Sequence, residues 1–107
     1  MNLQNEELQK MQEWLTSSFS KIEFLKNLFL VGSVLHKNRK EINDVDVIQR
    51  IQFENSSKLK DYTLAVSLIR DDFAKEFLSS LHITTFTQNE VKEFQEFMRK
   101  NQYLKLF

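Results

Sequence analysis

Two short stretches carry the side chains whose types and spacing could do chemistry. The apolar run Leu28-Phe29-Leu30-Val31 ends at Gly32-Ser33, and after ten intervening residues Asp44-Val45-Asp46 opens a second apolar run, Val47-Ile48. Gly32 is the only glycine in the 107 residues, and there is no proline. A chain that dispenses with glycine elsewhere keeps one where the backbone takes a positive φ or something approaches it closely. Side chains two apart in a strand point the same way, so Asp44 and Asp46 would sit about 7 Å apart by Cα. That is close enough to share a hard cation, and Mg²⁺ is commonly held by one or two carboxylates with phosphate oxygens and water completing its shell. Val45 and Val47 would then point into the core and fix the pair. Gly32 has no Cβ to obstruct a triphosphate. Backbone N–H groups of Ser33 and its neighbours, opening a helical turn, would face the anion, and the Ser33 hydroxyl could add a hydrogen bond. The plainer alternative is a tight turn at Gly32 and two solvated aspartates. The combination and its order favour a phosphate-and-metal site.

Other groups bear on that site. His36, Lys37, Arg39 and Lys40 form a basic cluster between the Gly-Ser pair and the aspartates. Lys37 is the candidate nucleotide contact among them, although basic loops are commonly just solvated. His82 lies in a β-branched stretch near the end of the chain, where it could contact substrate, act as a base or be structural. Asp71-Asp72 is a second acidic pair, but adjacent residues on a helix diverge and do not chelate together. Phe73, Phe77, Phe94 and Phe97 recur at helical spacing, as core residues do.

The elements that must position these residues follow from periodicity. Leu8, Met11, Trp14, Leu15 and Phe19 predict an amphipathic helix over 4–18. A strand is expected over 27–31, a short helical turn within 34–40, and a second strand over 44–53. Asn55-Ser56-Ser57 reads as a loop and helix cap. A long helical segment then runs to about 78. Ile83, Thr84, Thr85 and Phe86 predict a third strand over 81–87. Thr87 and Glu90 have the spacing of a capping box, opening a helix over 89–100. The apolar end, Tyr103-Leu104-Lys105-Leu106-Phe107, could dock on the core or on a partner. The expected fold is mixed α/β (α+β): a small mixed sheet of about three strands backed by helices, in the order α-β-(α)-β-α-β-α, as one domain over 1–107.

Composition narrows the function classes. With 15 basic and 15 acidic residues the chain lacks the basic footprint of a nucleic-acid binder. Absence of cysteine excludes a disulfide scaffold, a thiolate nucleophile and a zinc–thiolate centre. The first residues are polar and acidic, unlike a signal peptide, and no apolar run is long enough for a bilayer. A soluble cytoplasmic domain with no membrane partner is the expectation.

The arrangement Val31-Gly32-Ser33, ten residues, Asp44-Val45-Asp46-Val47 resembles the signature of minimal nucleotidyltransferases, small members of the polymerase-β-like superfamily. The motif covers about residues 27–51; elsewhere the likeness is in size and element order. The resemblance implies that Gly32 and Ser33 contact nucleotide phosphates and that Asp44 and Asp46 bind Mg²⁺, with Asp44, Asp46 and Ser33 as catalytic residues. It implies ATP as donor and AMP transfer to a hydroxyl of a protein partner, as in antitoxins paired with a helical HEPN-type ribonuclease toxin. Members of the superfamily often carry a third acid on the third strand; residues 81–86 have none, and His82 stands where it would be expected. Lys37 and Asn43 replace a loop glycine and a serine common in the family. The expectation is therefore slow transfer, best with Mn²⁺. The alternative is a binding module of the same fold that neutralises a partner by occlusion.

Overall fold

A computed structural model describes residues 5–35, 44–53 and 58–107. The chain runs α1 (Asn5–Phe19), β1 (Leu25–Val31), a 3₁₀ turn (Gly32–Leu35), β2 (Asp44–Ile51), α2 (Leu59–Phe77), β3 (Ser80–Phe86), α3 (Val91–Lys100) and β4 (Tyr103–Lys105). The sheet order is β3-β2-β1-β4. β1 pairs antiparallel with both β2 and β4. β2 and β3 are parallel, the arrangement that needs a crossover, which α2 supplies.

The fourth strand extends the expected sheet. Lys105, Leu104 and Tyr103 pair with Phe29, Leu30 and Val31, and the Leu106 N–H donates to the Leu28 carbonyl at 2.8 Å. The apolar chain end thus docks on β1, where it satisfies an edge that would otherwise be unpaired. Leu106 and Phe107 reach on to the main core.

That core lies on one face of the sheet. Met11, Leu15 and Phe19 of α1 and Phe73 of α2 pack on Leu28, Leu30, Val45, Val47, Ile51 and Leu81. Trp14 stands edge-on to Phe73 and Phe77, with ring centroids 5.6 and 5.7 Å away, a geometry the ring quadrupoles favour. The opposite face carries a smaller cluster, in which Phe29, Val31 and Ile48 meet Met98 of α3, flanked by Phe86, Phe94 and Phe97. The Arg50 guanidinium lies 4.6 Å from the centre of the Phe94 ring.

Helix starts depart from the sequence expectation. Lys58 occupies the cap position of α2 and makes no side-chain cap bond; the expected cap at residues 55–57 lies outside the described residues. α3 begins at Val91, after Glu90, rather than at 89. Half of the expected capping box forms nonetheless: the Thr87 N–H and hydroxyl both donate to Glu90 Oε1 at 3.0 Å. The reciprocal bond is replaced by a turn in which the Glu90 N–H donates to the Thr87 carbonyl. These two donors hold the Glu90 carboxyl below its ordinary range.

Candidate functional site

β2 positions the aspartates by strict alternation. Val45 and Val47 are fully buried among the α1 and α2 side chains, so Asp44 and Asp46 share the other face with Ile48. α3 closes over Ile48, in the second half of β2. The carboxylates occupy the first half, where Asp44 is exposed and Asp46 half-buried.

Gly32 meets both conditions that its solitary occurrence suggested. Its φ is +86°, in the region that favours glycine. A Cβ there would lie 3.2 Å from Asp46 Oδ2, so the close approach is made by the site's own carboxylate. The turn and the strand meet because β1 and β2 are antiparallel with Val31 opposite Asp46. Asp46 thus stands beside Gly32, while Asp44, two residues earlier on the same face of β2, lies beside His82. Ser33 follows in the 3₁₀ turn and is exposed. Lys37, with His36, Arg39 and Lys40, lies outside the described residues.

The parallel ladder adds a neighbour. His82 is the register partner of Asp46, and its Nε2 stands 3.4 Å from Asp44 Oδ1, each side chain being 58% exposed. His82 thus occupies the third-strand position beside the aspartates. The resemblance already set His82 at the position of the family's third acid; the register that brings it beside Asp46 depends on how α2 packs back on the sheet. Among the described residues, no three His, Cys, Asp or Glu side chains converge to hold a metal. Two carboxylates on one open face still suit a hard cation whose remaining ligands are phosphate oxygens and water.

Two clefts lie elsewhere. One of about 560 Å³ is bounded by Lys21, Phe24, Lys58, Tyr62 and Leu68, and one of about 420 Å³ by α1 and Lys105. Neither is lined by Gly32, Ser33, Asp44 or Asp46. Behind the first, the buried Gln49 amide donates to the Tyr62 hydroxyl and to Thr85 Oγ1. Burial raises the Tyr62 phenol above its ordinary value, against the opposing pull of hydrogen bonds with Thr85 and Gln49.

No protein-family model matches the sequence, and no curated protein matches it. Among solved structures, the chain is similar to a Sulfolobus solfataricus protein assigned as a nucleotidyltransferase. The match covers 90% of this chain and 77% of that one, with a TM-score of 0.53 at 12% identity. This is a nucleotidyltransferase-like fold. At that identity the likeness speaks for architecture, and the site's chemistry rests on the residues above. Among the described residues, no helix of the nucleotidyltransferase-like fold is long and apolar enough to cross a membrane.

Proposed function

We propose that this chain binds a nucleoside triphosphate against Gly32 and Ser33 and transfers AMP from ATP to a hydroxyl of a protein partner, as the antitoxin of a helical HEPN-type toxin. The observation that carries the reading is the fit of Gly32 to Asp46: a Cβ at Gly32 would lie 3.2 Å from Asp46 Oδ2, so the glycine admits one of two carboxylates on an open sheet face. Gly32 leaves room for the Asp46 carboxylate, and Ser33 is exposed to donate its hydroxyl to a phosphate. The buried Val45 and Val47 hold the carboxylates in place without reorganisation, which is what positioning of a transferred group requires. Mg²⁺, held by Asp44 and Asp46, would supply neutralisation of phosphate charge.

The test is incubation with labelled ATP, with and without the protein encoded beside it. The expected result is slow label transfer to the partner, lost in Asp44→Asn and Asp46→Asn with the fold intact. Transfer that survives the double substitution removes the aspartates from the mechanism. One observation favours a second reading, an occluding module without turnover: the third-strand position beside the aspartates is held by His82 rather than an acid. Partner binding without label on any protein would select that module.

A further inference from the structure

The two edges of the sheet are protected unequally. β4 forms one edge, is three residues long and carries Lys105, the short and charged kind of edge that resists further pairing. β3 forms the other edge. It is seven residues long and, among the described residues, pairs with β2 alone in an unbroken register. The N–H and C=O groups that point away from β2 are left open on that side. No lysine, proline or bulge guards them, and residues 77–89 are the longest uncharged run in a chain that is 28% charged. Just before the strand, Leu78 is 85% exposed and takes φ +55°, a left-handed conformation that strains any residue with a side chain. A backbone position that suits glycine is thus held by an exposed leucine, and no packing within this chain accounts for it.

We propose that β3 pairs antiparallel with β3 of a second copy of this chain, about a twofold axis at Ile83, joining two four-stranded sheets into one. The strand's self-complementarity points to a second copy, because a twofold contact needs a surface that fits itself. With Ile83 opposite itself, Leu81 meets Thr85 on the core face, while Ser80 and His82 meet Phe86 and Thr84 on the other. No like charges oppose one another, β-branched side chains meet at the axis, and the bulkiest residue of the strand faces the smallest. The cover of the sheet matches as well. α3 packs over the Phe86 end and leaves the Ser80 end, beside the exposed Asp44, open. Antiparallel pairing sets the covered end of each copy beside the open end of the other. Leu78 then lies at the end where the second copy's Phe86 stands, with apolar surface to meet. The pairing needs neither nucleotide nor transfer.

Sedimentation equilibrium of the full chain over a range of concentrations tests the pairing, and cysteine cross-linking reads its register. A monomer–dimer equilibrium is expected. Thr84→Lys, at an exposed position, should weaken it about tenfold or more by placing charge on the pairing edge opposite His82. Leu78→Gly should weaken it about threefold or more while thermal stability holds or rises, because glycine relieves the left-handed backbone. Lowered stability with unchanged association would instead make Leu78 a residue of the single chain and count against the pairing. The chain has no cysteine, so each engineered thiol is read alone. Ile83→Cys should cross-link under mild oxidant about fivefold or more faster than the more exposed Thr84→Cys, which has no counterpart opposite it. Should Ile83→Cys fail to fold, the native chain and Thr84→Lys carry the test. A chain that stays monomeric, assembles beyond a dimer, or cross-links faster through residue 84 overturns the pairing. Association that appears only with the protein encoded beside it also overturns it, and gives the edge to a different strand donor. None of these outcomes depends on ATP labelling, so the two readings fail separately.

Discussion

The two faces of one strand do different work in this molecule. On β2, Val45 and Val47 enter a core closed by α1 and α2, while Asp44 and Asp46, one residue away each time, open toward solvent. The first face is covered by two helices carrying Met11, Leu15, Phe19 and Phe73, all fully buried. The second has one helix and a smaller cluster that includes Ile48. A sheet face left half uncovered costs apolar burial, and here the uncovered part is where the carboxylates are. The comparison teaches that stability and chemistry are separated by the pleat itself, so each can be altered with little effect on the other.

The largest expected effect lies on the covered face. Phe73→Ala removes a fully buried ring that also contacts Trp14 and Phe77, and should cost about 3–5 kcal/mol in urea unfolding. Against it, Asp46→Asn should change stability by no more than about 0.5 kcal/mol. Similar costs for the two would break the separation.

Gly32→Ala comes next, at the one point where the faces are coupled. The substitution forces a non-glycine residue to φ +86° and sets its Cβ 3.2 Å from Asp46 Oδ2. A loss of about 1–3 kcal/mol is expected from backbone strain, together with weaker ATP binding by the folded fraction. Lowered stability with unchanged ATP affinity would make Gly32 a turn residue alone.

The smallest effect concerns the start of α3, which covers the second face. Glu90 accepts from the Thr87 N–H and hydroxyl, and its carboxyl is held below the ordinary value of 4.5. A lowered folded-state value means stabilisation present above the unfolded value and lost as pH falls through the folded one. Glu90→Gln should therefore be less stable than the native chain at pH 7, with the gap closing as the solution is taken below pH 4.5. A gap that stays constant across that range would show that the contact does not depend on charge.

Much of this was legible along the chain because it depends on near neighbours. Period-two alternation put Asp44 and Asp46 on one side and Val45 and Val47 on the other. Helical spacing located the apolar faces of all three helices, and the solitary Gly32 announced a special backbone position. Local signals were weaker where two conformations cost nearly the same. Thr87 and Glu90 have the spacing of a capping box, yet a turn intervenes and the helix begins at Val91.

What the tertiary structure alone decided were the partners. Tyr103–Lys105 is too short to declare itself a strand and becomes one only because β1 offers unpaired backbone groups. Asp46 proves to be what Gly32 lies against, since antiparallel pairing brings the end of β1 over the start of β2. His82 reaches Asp44 because α2 returns the chain in parallel register. Each of these contacts joins residues distant in sequence, and the crossover and edge pairing that set them depend on packing across the whole sheet.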